Sequence, residues 1–159
     1  DLQNFAKQIS QGKILSVRLQ EMYARELYLA GDTEDLQAAE TYFQNTVKDV
    51  SRKPEEIMQA CCVAARIARL KGDRNAFMKY TSKALAMEGC SEICCELGFF
   101  YEQLEDLEEA VLWYYNAVYA VTPVLSLAAG QGEPLKGLIR CYEGLGMQEQ
   151  AEVYRQQLE

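Results

Sequence analysis

The feature that most constrains this fold is a cysteine doublet that occurs twice at the same distance from a turn. Cys61 of "CCVAARIARLKGD" precedes Gly72 by eleven residues, and Cys94 of "CCELGFFYEQLED" precedes Glu105 by eleven residues. Glycine is common at the end of a helix, so Gly72 marks a turn and the alignment assigns Glu105 to an equivalent turn. The doublets are one structural position used twice, 33 residues apart, which indicates an internal repeat.

Long stretches of the chain carry apolar residues at the helical period, and only three prolines and ten glycines interrupt them. No run alternates cleanly between apolar and polar residues, as a half-buried strand would. The chain is therefore predicted to be all-helical, with each repeat formed by two antiparallel helices and the turn between them.

Small and aromatic residues occupy fixed places in this repeat. The third unit carries them at Gly98, Tyr101, Ala110, Tyr114 and Ala117, and the fourth unit at Leu138, Tyr142 and Ala151. This pattern resembles the tetratricopeptide repeat. Two helices approach closely only where side chains are small, and the aromatic residue fills the space between one helix pair and the next. The resemblance implies a right-handed superhelical solenoid of antiparallel helix pairs.

We predict a single all-α domain with about four repeats after a short N-terminal helix. The expected segments are a leading helix at 1–12, repeats at 13–50, 55–88 and 91–122, an insert at 123–132, and a last repeat at 133–159. The insert is expected because the turn at Gly146 follows the turn at Glu105 by 41 residues, whereas about 34 residues are typical.

The charge of the chain argues against one class of partner. There are 24 acidic and 16 basic residues, a formal net charge of −8, and nucleic-acid binding depends on clustered lysines and arginines. An uncharged stretch at 110–132 has the length of a membrane span, but Pro123 divides it, so we predict no span. The chain begins at Asp1, and we expect it to be a piece of a longer protein.

The cysteine doublets admit two interpretations. Adjacent residues on a helix do not face each other, and no histidine completes a mixed metal site, so we favour small packing residues. The alternative is a metal or redox pair formed by Cys62 and Cys95. The remaining cysteines, Cys90 and Cys141, are isolated. Six reduced thiols are typical of a cytoplasmic protein, which is the predicted location.

Signatures of catalysis are missing from the sequence. There is no histidine for acid–base chemistry, no glycine-rich phosphate loop and no Asp-X-Asp metal motif. The chain is therefore predicted to be non-catalytic, with no cofactor and no metal.

A row of basic residues is the first candidate binding surface. Arg25, Arg66 and Arg140 each lie six residues before a predicted turn, and arginine pairs well with carboxylate and phosphate. One interpretation is a groove for an acidic peptide, lined by Arg18, Arg25, Tyr28, Arg66, Arg69, Phe99, Lys136 and Arg140. The alternative, which we favour, is that Glu21, Glu102 and Glu143 neutralise these arginines in internal ion pairs.

The second candidate surface lies on the helix predicted at 107–121. Its inward stripe is Ala110, Tyr114 and Ala117, and a second apolar stripe is Leu112, Tyr115 and Tyr119. That second stripe is on the face that normally points to solvent, so another segment or partner covers it. We expect the insert to fold back over Leu112 and Tyr115. The alternatives are a neighbouring domain or a second copy of the chain.

Three longer phrases narrow the resemblance. They are "YARELYLAGD" (23–32), "SEICCELGFFYEQLEDLEEAVLWYYNAVY" (91–119) and "EPLKGLIRCYEGLGMQEQAEVYRQQ" (133–157). They resemble the C-terminal repeat region of bacterial family 2 glycosyltransferases, of the type common in Clostridia-like Firmicutes. The resemblance implies a scaffold or protein-interaction module appended to a catalytic domain, for acceptor docking or self-association. The alternative is a free-standing adaptor or peptide-sensing regulator that binds an acidic peptide.

Overall fold

The structure is a computed structural model that describes every residue from Asp1 to Glu159. It contains nine α-helices and no β-strand, which confirms the predicted all-helical class. The helices are α1 (Leu2–Ser10), α2 (Val17–Ala30), α3 (Thr33–Lys48), α4 (Pro54–Lys71), α5 (Arg74–Met87), α6 (Ser91–Gln103), α7 (Leu107–Tyr119), α8 (Gly132–Gly144) and α9 (Gln148–Leu158). A single 3-10 turn, Leu127–Gly130, lies between α7 and α8.

The chain divides into two compact units, Asp1–Met87 and Glu88–Glu159. The first unit contains helices α1 to α5, and the second contains helices α6 to α9. None of the nine helices combines the length and the continuous apolar character that crossing a bilayer requires.

One turn geometry ends α4, α6 and α8. Gly72, Glu105 and Gly146 have φ angles of 74°, 61° and 75°, in the left-handed region. The next residue donates its N–H to the carbonyl five residues earlier: Asp73 to Ala68 (2.9 Å), Asp106 to Tyr101 (2.9 Å) and Met147 to Tyr142 (2.8 Å). This is the Schellman pattern of helix termination. Glu105 is the one non-glycine residue with positive φ, so its assignment to an equivalent turn, made from spacing alone, is confirmed.

The turn expected at Gly31 and Asp32 is present but has a different conformation. Gly31 is extended, with φ −70° and ψ 128°. The next helix, α3, begins with reciprocal side-chain caps. The Asp32 carboxylate accepts the Asp35 N–H at 2.8 Å, and the Asp35 carboxylate accepts the Asp32 N–H at 3.1 Å. These caps satisfy N–H groups at the start of α3. The end of α2 is closed by the Gly31 N–H, which donates to the Leu27 carbonyl at 2.9 Å.

Aromatic rings fill the core of the first unit. Phe5 of α1 stacks on Tyr23 of α2 with ring centroids 4.9 Å apart, and Tyr23 packs on Phe43 of α3 at 5.5 Å. Helix α4 packs against α3 and α5, and all residues from Met58 to Ala65 are buried. The small side chains in this stretch allow the neighbouring helices to approach α4 closely.

A single tyrosine organises the core of the second unit. Tyr114 of α7 is fully buried and packs with Ala110 and Leu138. Gly98 of α6 and Gly137 of α8 both lie against its ring. The tight packing of three helices around one ring explains why small residues recur at these places in the sequence.

The insert between α7 and α8 packs on the beginning of α6. The buried Glu92 carboxylate accepts the N–H groups of Val124 (3.0 Å), Leu125 (2.6 Å) and Ser126 (2.8 Å). A buried carboxylate and three consecutive backbone donors each need partners, and here they satisfy one another. Leu125 is thereby buried, and the thiol of Cys95 donates to the Ala129 carbonyl at 3.2 Å.

The expectation that this insert covers Leu112 and Tyr115 is wrong. Their side chains remain 57% and 47% exposed. The reason is the Glu92 contact, because it holds the insert against Cys94, Cys95 and Ala117 on another side of the α6–α7 pair.

Candidate functional site

The predicted groove residues of the first unit have different surroundings. Arg18 is exposed and Arg69 is half-buried. Arg25 forms an ion pair with Glu21 one helical turn earlier, at 2.7 Å, and both side chains are more than two-fifths exposed. An exposed pair of this kind contributes little to stability.

Arg66 and Tyr28 form a close contact between α4 and α2. The guanidinium of Arg66 donates to the backbone carbonyl of Tyr28 at 2.6 Å, and it lies 3.6 Å from the centroid of the Tyr28 ring. A cation over an aromatic face is attracted by the electron density of the ring. This contact holds α4 against α2.

The predicted groove residues of the second unit meet around Glu102. Arg140 of α8 donates two hydrogen bonds to this carboxylate of α6, at 2.9 and 3.1 Å, and its guanidinium lies 5.4 Å from the Phe99 ring centroid. The Tyr114 hydroxyl donates to the same carboxylate at 2.7 Å. The hydrogen bonds that Arg140 donates to Glu102 raise the pKa of Arg140. Burial, followed by the hydrogen bond that its own hydroxyl donates to Glu102, raises the pKa of Tyr114. Lys136, the remaining member, is exposed.

Two of the three carboxylates that were expected to neutralise groove arginines do form ion pairs with them. Glu21 pairs with Arg25, and Glu102 pairs with Arg140. Glu143 pairs with Arg155 of α9 instead. Internal neutralisation is therefore present at Arg25 and Arg140, and the groove for an acidic peptide remains a prediction.

The second candidate surface is open. Tyr119 is 50% exposed, close to the values for Leu112 and Tyr115. The Tyr115 and Tyr119 rings lie 4.6 Å apart, and Tyr142 and Tyr154 stack in parallel beside them at 5.8 Å. The Tyr119 hydroxyl donates to Gln157 of α9 at 3.1 Å. We call this surface the tyrosine face and define it as Leu112, Tyr115, Tyr119, Tyr142 and Tyr154.

The tyrosine face is electrically neutral. Burial raises the pKa of Tyr142 and of Tyr154, and the neighbouring tyrosines raise both further, so these hydroxyls keep their protons at neutral pH. The sequence from Val111 to Tyr119 carries no charged residue. On α9, Arg155 is engaged by Glu143 and Glu152. The face is thus an uncharged surface on an acidic chain.

The cysteines behave as packing residues. All six are buried thiols outside any disulfide. Burial raises the pKa of Cys94 and of Cys141 to about 12, and it raises the pKa of Cys95 as well. A thiol is nucleophilic as the thiolate, so these three side chains are unreactive at neutral pH. A redox site at Cys95 would require a lowered thiol pKa, whereas burial raises it.

An open cavity in the first unit was not anticipated from the sequence. It has a volume of about 600 Å³ and lies between α1, α3 and the turn after α3, with Ala6, Ile9, Ala38, Tyr42, Asn45 and Arg52 in its lining. At its base Arg52 pairs with the buried Glu56 at 2.8 Å, and the Tyr42 hydroxyl accepts the Leu15 N–H at 3.0 Å. The signal in the sequence was weak, namely polar residues along one face of α3.

Comparison of the chain with protein-family models and with curated proteins returned no match. The fold and these surfaces define an all-helical chain with an uncovered aromatic face.

Proposed function

We propose that this chain is a non-catalytic protein-interaction module that binds a protein partner through the tyrosine face. The observation that carries the proposal is the exposure of this face. Leu112, Tyr115 and Tyr119 are each about half exposed, and two further tyrosines stand beside them. Contiguous apolar surface on a folded chain marks interaction sites. Tyrosine is also enriched among the residues that dominate interface energies, because it is large and loses little entropy on binding.

The repeat supports a proposal about the kind of protein to which this module belongs. The shared turn geometry at Gly72, Glu105 and Gly146 supports a tetratricopeptide-like array, and such arrays are used as binding scaffolds. The three longer phrases support an array appended to a bacterial glycosyltransferase, where it docks a protein acceptor or joins two copies. Six reduced thiols favour a cytoplasmic location.

A second candidate function is the capture of an acidic peptide. It is supported in each unit by one exposed basic side chain among the predicted groove residues, Arg18 in the first unit and Lys136 in the second. Such binding should weaken with added salt and in an Arg18→Ala/Lys136→Ala variant. Affinity that is independent of salt and of this double substitution would argue against the groove.

The test of the proposed function is site-specific photo-crosslinking in the cells that produce the protein. A photoreactive phenylalanine analogue replaces Tyr115, and a matched control carries it at Leu104, which is 49% exposed against 47% for Tyr115. We expect one dominant protein adduct at position 115 that is missing at position 104. Equal adducts at the two positions, or none at position 115, would remove the tyrosine face as an interface.

A further inference from the structure

We propose that the partner of the tyrosine face is a second copy of this chain, whose α7 lies antiparallel across the first. This inference rests on the proposed function, because it names the occupant of the same face. The two copies would meet in an isologous contact, in which the same residues contribute from both sides.

Charge is the first argument for this occupant. Each copy carries a net charge of −8, so most of its surface repels a second copy. The tyrosine face carries no charge of its own, and two copies can meet there without opposing like charges. The acidic residues of α7, Glu108 and Glu109, lie in its first turn. An antiparallel pair separates these turns to opposite ends of the contact, whereas a parallel pair would bring them together.

The spacing of the exposed residues is the second argument. Leu112, Tyr115 and Tyr119 are separated by three and then four residues, which is the spacing of a seam between two packed helices. When two antiparallel copies are aligned about a point between residues 115 and 116, Leu112 lies opposite Tyr119 of the other copy. Tyr115 then lies beside its own equivalent. The stripe can therefore pack against the same stripe of a second copy.

The surroundings of the face disfavour an anionic ligand. The nearest cation on α9, Arg155, is held by Glu143 and Glu152. The indole N–H of Trp113 is likewise directed to Glu109, at 3.2 Å. No unpaired cation of α9 is left for a phosphorylated or acidic peptide to pair with, and an uncharged apolar surface fits the tyrosines themselves.

Engineered cysteines test both the partner and its direction. The six native cysteines are buried, so a cysteine introduced on the face is the accessible thiol. A disulfide needs α-carbons within about 7 Å of each other. Helices rise about 1.5 Å per residue, so in the antiparallel pair residue 112 lies about 10 Å along the axis from residue 112 of the other copy. The variants are Tyr115→Cys, Leu112→Cys and Tyr119→Cys, with Leu104→Cys as the control of matched exposure.

Under mild oxidation we expect cross-linked dimers from Tyr115→Cys alone and from a mixture of Leu112→Cys with Tyr119→Cys. Leu112→Cys alone, Tyr119→Cys alone and Leu104→Cys should yield at least tenfold less dimer. Circular dichroism of each variant establishes that it is folded. Dimers from Leu112→Cys alone and Tyr119→Cys alone would indicate a parallel pair and overturn the proposal.

The absence of a dimer from folded Tyr115→Cys would overturn it too. A photo-adduct at position 115 with a different protein would refute this inference and leave the proposed function standing, which keeps the two distinguishable.

Discussion

Gly98 of α6 and Gly137 of α8 lie against opposite edges of one ring, that of Tyr114. A Cβ atom built on Gly98 would be 2.6 Å from Cε1 of the ring, and one built on Gly137 would be 2.6 Å from Cε2. These distances are far below van der Waals contact, so neither position has room for a methyl group. The packing of the second unit around Tyr114 therefore requires glycine at both positions.

Replacing either glycine by alanine is predicted to destabilise the fold, although helix propensity alone predicts the opposite. Alanine normally stabilises a helix interior by about 0.5–1 kcal/mol relative to glycine. We expect Gly98→Ala and Gly137→Ala to lower the free energy of unfolding by about 1–3 kcal/mol instead, because overpacking displaces the ring. Urea denaturation measures the change. Gly132→Ala is the control, since a Cβ there meets nothing within 4 Å. A stabilising Gly98→Ala substitution would contradict this packing.

At the turn that contains Glu105, a single substitution is predicted to raise the free energy of unfolding. A non-glycine residue in the left-handed region costs about 1–2 kcal/mol, and Glu105 has φ 61°. Glu105→Gly should therefore raise the free energy of unfolding by about 1 kcal/mol. Gly146→Ala should lower it by a similar amount, because a Cβ at Gly146 meets no atom within 4 Å and the backbone alone opposes it. Thermal or urea unfolding of both variants should show opposite signs, and equal signs would be inconsistent with this turn.

The Glu92 contact predicts a link between stability and thiol access. In Glu92→Gln one carboxylate oxygen becomes an amide donor, which opposes the N–H groups of Val124, Leu125 and Ser126. We expect a loss of about 1.5–3 kcal/mol, the range for hydrogen bonds to a charged group. Because the insert covers Cys95, peptide mapping after thiol labelling should show faster modification of Cys95. Glu108→Gln, an exposed residue of α7, is the control. Unchanged labelling of Cys95 would show that the insert does not depend on Glu92.

Alkaline stability should depend on Tyr23. Its side chain is fully buried, its hydroxyl makes no hydrogen bond, and burial raises its pKa from 10.0 to about 12. Below pH 10.0 the folded and unfolded chains both keep this proton; between pH 10.0 and about 12 the unfolded chain loses it first. The free energy of unfolding should therefore fall over this interval, with Tyr23 contributing on the order of 2 kcal/mol.

Tyr23→Phe should remove that part of the fall and be neutral or slightly stabilising at pH 7, because it deletes an unpartnered buried hydroxyl. Tyr115→Phe, on the exposed face, is the control. The measurement is urea unfolding at a series of pH values. An identical alkaline fall in wild type and Tyr23→Phe would contradict the assignment.

Features with a local signal were predictable from the sequence. The helical class follows from the apolar period, and the turn at Glu105 follows from its distance to Cys94 even though no glycine marks it. Small residues at Gly98 and Ala110 also follow from the repeat. In each case the cause of the structure lies within about one repeat of the residue concerned.

The path of the insert was not predictable in this way. It depends on a carboxylate at Glu92 that meets backbone N–H groups more than thirty residues later, and a backbone donor has no signature in the sequence. Leu125 and Leu127 are alike in sequence, yet they are 1% and 77% exposed. Pairing between distant polar groups decides which of them is buried, and this in turn leaves the tyrosine face open.

Sedimentation equilibrium of this chain tests most directly the central claim that two copies of the chain meet at the tyrosine face. The samples are wild type, Leu112→Glu/Tyr119→Glu, and a control, Leu104→Glu/Leu127→Glu, which adds the same charge at other exposed leucines. We predict that wild type and control associate with the same dissociation constant and that the first variant associates at least tenfold more weakly. A wild-type chain that stays monomeric at the highest concentration, or equal association in all three samples, would contradict the account.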